Sequence, residues 1–399
     1  MKIALNIEMV GARRGGAEKY AGTVARWLIA AGHEVHVFAR VVDDGELPPE
    51  TPVHLVRPYC PPGFGWLRAF LFARSSEREI RKDQFDLIIG FVKVWYQHVY
   101  LAVGGAHPAA LACNSRRFRS PLLRTAWWAT KWGSPKQWLF RHIASKQFGG
   151  SHQPHVIAPA RMVAEHFREY HGLSPDRVSV VYNALDQLGA LANAAVARAD
   201  FRASHGLDDR DVAILFVARN YALKGLEPLL EAFAPVAKSS REAHLFVCGS
   251  RRDRPFRRQA ARLGIIDQVR FLGFVDDIRM CFAGCDAFAF PTFYDPCSLV
   301  VLEAMSAGLP VITTRQNGAG ELVSEGEDGF VVDSPWAQSQ LTDRLKLLVT
   351  DPALRRRMGH KGRENAGAFT VEARQREFLQ VLQRAATNRL AQPTMRDAA

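Results

Sequence analysis

One long stretch of this chain contains no acid at all: between Asp86 and Glu165 there is neither Asp nor Glu. Over all 399 residues, 52 Lys and Arg face 40 Asp and Glu, a formal net charge of +12. Such a balance favours an anionic partner: nucleic acid, anionic lipid or a phosphorylated substrate. Cysteine is scarce. The six (Cys60, Cys113, Cys248, Cys281, Cys285 and Cys297) form no CxxC pair, and Cys281 with Cys285 has no companions for a zinc site. Reduced cytosolic thiols are the expected state. No apolar run approaches the roughly 20 residues that cross a bilayer as a helix. The N-terminal "MKIALNIEMV" is too broken for a signal peptide and reads as a strand. A cytoplasmic protein is expected, any membrane contact being peripheral. No GxGxxG is found either, so the dinucleotide fingerprint is missing.

What the chain does have is alternation. "KIALNIEM" reads as a strand, "AEKYAGTVARWLIAAG" as a helix closed by Gly32, and "EVHVFAR", "FDLIIGF", "HVIAPA" and "VSVVYNA" as further strands. The pattern restarts near residue 212 with "VAILFVAR", then "HLFVCGS", "VRFLGF", "AFAFPT" and "LPVITT", with helices between. This is the signature of α/β architecture with parallel sheets covered on both faces. Length and the restart predict two Rossmann-like domains, at residues 1–184 and 185–370, followed by a C-terminal helix and flexible tail over 371–399. Residues 186–211 read as a linker with a short helix.

The acid-free stretch holds an excursion near residues 113–150. In it Arg116, Arg117, Arg119, Arg124 and Lys131 are interleaved with Trp127, Trp128 and Trp132. Basic residues beside tryptophan suit the headgroup region of an anionic membrane surface. An ordinary helical excursion with solvated charges is the plainer alternative. Single-stranded nucleic acid would use similar residues, but no nucleic-acid module accompanies them, and none is expected as a partner.

Three places can carry chemistry. Gly15 and Gly16 in "RRGGAEKY" allow close approach of a ligand to a helix N-terminus. In "VARNYALKG", Arg219 and Lys224 follow a strand and suit a diphosphate. In "FYDPCSLVVLEAMSAGLPV", Asp295 sits in a loop and Glu303 inside the next helix, expected to start near Ser298 with the Ser298 and Leu299 amides toward a phosphate. Taken singly, these are also a tight turn, a solvated Arg and Lys, and a capping acid with a helix-surface Glu.

Taken together, "RNYALKG", "FLGFVDD", the acid–seven–acid block and "GAGELV" resemble, in order and spacing, the retaining GT-B glycosyltransferases of family four. The N-terminal half, with "RRGG" and "FDLIIGFVKV", is most similar to the lipopolysaccharide core glucosyltransferase I branch. The resemblance implies a GT-B fold, with two Rossmann-like domains facing each other across a donor-binding cleft. It implies Asp295, Arg219, Lys224 and His107 as catalytic residues. Gly15, Gly16, Phe274, Pro296, Cys297, Ser298, Leu299 and Glu303 would bind the donor, with Phe274 beside the base and Glu303 on the ribose. Asn183 matches a hinge position. The family's first acid is usually Glu, where this chain has Asp295; Ala184 replaces a usual Gly, and Tyr20 stands where the branch has an acid. The implied activity is metal-independent transfer of a hexose, glucose by the branch, from a nucleotide-sugar, UDP-linked by the branch. The acceptor would be a lipid-linked or phosphorylated cell-envelope glycan such as lipopolysaccharide core, and no cofactor is called for. Two other readings fit the sequence: a nucleotide-sugar 2-epimerase of the same fold, and a non-catalytic basic membrane-binding protein.

Overall fold

The structure is a computed structural model that describes residues 1–11, 16–150, 153–185 and 193–390. Gly15, much of "RRGG", residues 186–192 of the linker and the tail 391–399 lie outside the described residues. By internal contact the chain divides into two compact units. The first comprises Met1–Ala109, Phe118–Val181 and Arg374–Ala399, and the second Ala110–Arg117 and Tyr182–Ala373.

In the first unit the elements run β1 (Lys2–Asn6), β2 (Met9–Val10), α1 (Gly16–Ala30), β3 (Glu34–Ala39), β4 (Val41–Val42), β5 (Val53–Leu55), α2 (Gly65–Ile80), β6 (Leu87–Phe91) and β7 (Val99–Leu101). Then come α3 (His107–Ser115), whose last residues belong to the second unit, α4 (Pro121–Trp132), α5 (Pro135–Phe148), β8 (His155–Ala158), α6 (Arg161–His171) and β9 (Val178–Val180). Seven strands pair in the order β5-β3-β1-β6-β7-β8-β9, all parallel, and β2 and β4 make a small separate ladder. The chain winds outward from β1 to β5, then restarts on the other side of β1 with β6. Ligands of open α/β sheets bind beyond the strand carboxyl ends at such a reversal.

The second unit carries α7 (Ala194–Ser204), β10 (Val212–Val217), α8 (Leu226–Ser239), β11 (Ala243–Cys248), α9 (Arg254–Leu263), β12 (Val269–Gly273), α10 (Ile278–Gly284) and β13 (Ala287–Phe290). It continues through α11 (Leu299–Ser306), β14 (Val311–Thr314), β15 (Gly329–Val332), α12 (Gln338–Thr350) and α13 (Pro352–Ala366). Its six parallel strands run β12-β11-β10-β13-β14-β15, with the reversal between β10 and β13. The apolar runs "VAILFV" and "AFAF" are buried nearly throughout, as strands covered on both faces must be. The doubly wound α/β architecture read from the sequence is therefore present twice.

The last helix, α14 (Val371–Leu390), begins in the second unit and from Arg374 packs with the first. Its Phe378 is fully buried, with the ring 5.7 Å from that of Trp27 on α1. Of the basic excursion, Arg116 and Arg117 group with the second unit, whereas Arg119 to Trp132 group with the first. The Trp336 indole N–H donates to the Arg116 carbonyl at 3.0 Å.

Candidate active site

The reversal of the second sheet is built by two loops drawn together. After β10, the Asn220 side chain accepts from the Leu223 amide at 3.2 Å and its carbonyl from the Lys224 amide at 3.0 Å, closing a turn. Gly225 ends that turn at φ 81°, and a Cβ there would lie 1.8 Å from the Pro291 carbonyl oxygen. Only glycine permits both the left-handed conformation and that approach. The Leu223 carbonyl then accepts from the Phe293 amide at 3.0 Å and from the Thr292 hydroxyl at 3.3 Å, fastening the loop beyond β13 against the turn.

This brings Lys224 onto Asp295, with Nζ 2.7 Å from Oδ2 and 2.9 Å from the Tyr294 carbonyl. The two side chains are only 19% and 16% exposed. An ammonium has three N–H donors; two are used here, so one remains for an oxygen of a ligand. Asp295 Oδ1 accepts from the Cys297 amide at 3.2 Å, a short turn that leads into α11. Each carboxylate oxygen keeps a lone pair for a hydroxyl group.

The start of α11 is fixed by a residue that the sequence reading did not single out. Asn317, buried beyond β14, accepts from the Ser298 amide at 3.3 Å and donates to the Ser298 hydroxyl at 2.8 Å and to Thr313 Oγ1 at 3.0 Å. Asn183, the expected hinge residue, donates to the Cys297 carbonyl at 2.6 Å. The Ser298 amide, expected to face a phosphate, is thus already engaged. Leu299, Val300 and Val301, the first three residues of the helix, also have amides without an intrahelical i−4 acceptor. Burial pushes the Cys297 thiol up to about 12, so it lines the loop as an uncharged group and not as a thiolate nucleophile.

The remaining donor-side residues share the carboxyl edge of this sheet. Arg219 is exposed just beyond β10, and Phe274, 59% exposed, follows β12. Pro296 sits half-buried between Asp295 and Cys297, and Glu303 is half-buried, the fifth residue of α11. In the first unit, Gly16 is the exposed first residue of α1, and a Cβ there would meet nothing within 4 Å. Tyr20 on α1 packs edge-on to Trp27. His107 opens α3, its Nε2 2.8 Å from Gln137 Oε1 and its ring edge-on to Phe140. Desolvation, then the nearby Lys93, Lys136 and Arg141, hold the His107 imidazole below its ordinary range, while Gln137 partly opposes them. Neutral at pH 7, it acts as a hydrogen-bonding group.

In the excursion, α4 buries none of its residues. Its most exposed apolar side chain is Leu122, at 82%, joined by Leu123, Trp132 and, from α5, Trp138. Trp127 and Trp128 instead pack edge-on to each other, half-buried, with the Lys131 ammonium 5.2 Å above the Trp127 ring. Arg141 lies 4.3 Å over Trp132, and Arg124 donates to the Phe118 carbonyl. No helix of the described residues is long and apolar enough to cross a membrane. Among the same residues no group of three or more His, Cys, Asp and Glu can hold a metal ion.

Two family models match the chain in succession, Glycosyltransferase Family 4 over residues 14–187 and Glycosyl transferases group 1 over residues 197–365. The lipopolysaccharide glucosyltransferase WaaG of Escherichia coli K12 is 23% identical over 372 residues, spanning 88% of this chain and 91% of that one. The crystal structure of WaaG superposes with a TM-score of 0.75 at 21% identity, covering 93% of this chain and 98% of that one. The lipopolysaccharide core biosynthesis glycosyltransferase LpsE of Rhizobium meliloti 1021 is 31% identical over 171 residues, 42% of this chain and 49% of that one. Anabaena HepE, solved in complex with UDP-glucose, gives a TM-score of 0.68 at 19% identity, over 96% of this chain and 99% of that one. With both family models in chain order over two parallel-sheet units, and a Lys–Asp pair at the reversal of the second, the chain belongs to the group 1 glycosyltransferases of GT-B architecture.

Proposed function

We propose that the protein transfers glucose, with retention of configuration, from a UDP-linked donor to a lipid-linked glycan of the lipopolysaccharide-core type. The observation that carries this reading is the Lys224–Asp295 pair at the reversal of the second sheet. Lys224 has one N–H left for a diphosphate oxygen, exposed Arg219 adds a bidentate cation, and the Leu299 and Val300 amides offer a helix start. Positive charge is placed where a departing diphosphate gains negative charge, so the groups act most strongly in the transition state. Asp295 would hold sugar hydroxyls and Glu303 the ribose.

The bond between the anomeric carbon and the diphosphate oxygen breaks, and both electrons leave with that oxygen. An acceptor hydroxyl attacks the same face of the oxocarbenium-like sugar, and the departing diphosphate oxygen takes its proton. Cations of the chain carry the diphosphate charge in this scheme, and no metal is invoked. The choice of glucose and UDP is supported by the names of WaaG and of the HepE complex.

Attachment to the inner face of the cytoplasmic membrane is part of the proposal, supported by Leu122, Leu123, Trp132 and Trp138 exposed among basic residues with no acid nearby in sequence. A screen of UDP-, GDP- and ADP-sugars by thermal shift, followed by mass spectrometry of product formed with membrane extract, tests the reading. Stabilisation by a UDP-sugar and a product one hexose heavier is expected. A sugar epimerised at C2 without acceptor would point to the epimerase, and no response to any donor would sink both.

A further inference from the structure

The reversal of the first sheet, between β1 and β6, carries a feature that the donor chemistry does not use. Directly after β6, Val92 is the only described non-glycine residue with positive φ, at 55°. A β-branched residue in that region is an outlier that persists where its surroundings impose it. Here they do: the Val92 carbonyl accepts from the Tyr100 hydroxyl at 3.0 Å and from Gln147 Nε2 at 3.0 Å, and the same Gln147 group reaches the Val94 carbonyl.

The strained residue aims its neighbour. Lys93 Nζ stands 2.9 Å from the centre of the Phe140 ring, and Lys136 Nζ approaches the same ring at 5.5 Å. Two ammonium groups therefore face one aromatic ring. Among the described residues neither has a carboxylate within 4.0 Å, and between Asp86 and Glu165 the chain supplies no acid. The acid that does influence Lys93 is Glu8, which already accepts from Arg40 at 3.1 Å and from Arg68 at 2.7 Å. Arg141 adds to the positive surroundings, which also hold the nearby His107 imidazole neutral. Such a cluster, at the ligand edge of a doubly wound sheet, is short of an anion.

We propose that Lys93 and Lys136 bind a phosphate monoester carried by the acceptor glycan. This assignment rests on the glycosyltransferase reading, in which the glycan is the acceptor. Desolvation, then Lys136, push the Lys93 ammonium down to about 7, against a small opposing pull from Glu8. Without ligand Lys93 is about half charged at neutral pH; a phosphate beside it restores the proton. The charge is present below about pH 7 and is lost above it, so affinity falls as pH rises.

The test is calorimetric titration of the full-length chain with deacylated lipopolysaccharide core oligosaccharide, before and after phosphatase treatment. The phosphorylated form is expected to bind the unsubstituted chain at least tenfold tighter at pH 6.5, with that preference shrinking about tenfold by pH 8.5. Lys93→Met should abolish the preference while leaving UDP binding unchanged. Lys93→Arg, charged at every pH, should keep it without the pH dependence. Retention of the preference by Lys93→Met would overturn the assignment. So would a Lys93→Met chain that loses only its binding to phosphatidylglycerol vesicles, since the phosphate would then be a lipid headgroup. A phosphate preference in a chain that transfers no sugar would support the site and remove the activity reading instead.

Discussion

At the scale of single residues, the proposed donor chemistry rests on Lys224, Asp295 and the glycine that positions them. Replacing Lys224 with Met removes a preorganised cation from the leaving group, and kcat/KM is expected to fall on the order of a hundredfold or more. Asp295→Asn leaves Lys224 without its carboxylate and should lower turnover in the same assay, while circular dichroism stays unchanged. Gly225→Ala acts through the backbone. Strain at a left-handed non-glycine residue alone costs about 1–3 kcal/mol, and the approach to Pro291 adds to it. Urea denaturation should show that loss of stability together with reduced donor binding. Most of these residues were legible in the sequence, because Arg219, Lys224, Asp295 and Glu303 sit in two short local motifs whose spacing is itself the signal. Asn317 was not. Its bonds to Ser298 and Thr313 are tertiary, and a lone Asn before "GAGELV" has no periodicity to betray it. Lys93 was equally silent: its surroundings come from α5, far along the chain.

At the scale of elements, the long apolar runs announced their strands, but β5, β7 and β15 escaped notice. Three or four residues cannot establish a period of two, and partners distant in the chain define them. The helix α7 shows what tertiary context adds to a segment read as a linker with a short helix. Its Arg198 and Arg202 reach Asp286 at 2.6 and 3.2 Å, and the same carboxylate accepts from the Ala213 amide at 2.8 Å. Arg202 is buried, so Asp286→Ala strands a charge and is expected to cost about 3–5 kcal/mol, measurable by chemical denaturation. The end of α6 carries a pH effect. His171 packs against the Phe148 and Phe167 rings, 4.4 and 5.4 Å away, and burial pushes its imidazole down to about 4. Unfolding lets it bind a proton at its ordinary value of 6.5, so the stability it lends is full above that pH and is lost as pH falls toward 4. A His171→Phe chain should show a flatter decline in melting temperature over that window; an unchanged slope would refute the assignment.

At the scale of the whole molecule, the net charge of +12 has two proposed uses that composition could not separate. Lys93 and Lys136 stand at the ligand edge of the first sheet, while α4 presents leucine and tryptophan among basic residues. Sedimentation with anionic vesicles should weaken severalfold in a Leu122→Glu, Trp132→Glu chain that still binds UDP, and neutral vesicles should bind neither chain. The central claim, however, is the transfer itself. The most direct measurement incubates the full-length chain with UDP-glucose and lipopolysaccharide core acceptor, and follows the product by mass spectrometry and anomeric proton resonances. The expected result is a product one hexose heavier, with the α configuration of the donor retained, and a rate lowered about a hundredfold or more by Lys224→Met. No transfer from any nucleotide-sugar, or a Lys224→Met chain as fast as the unsubstituted one, would contradict it.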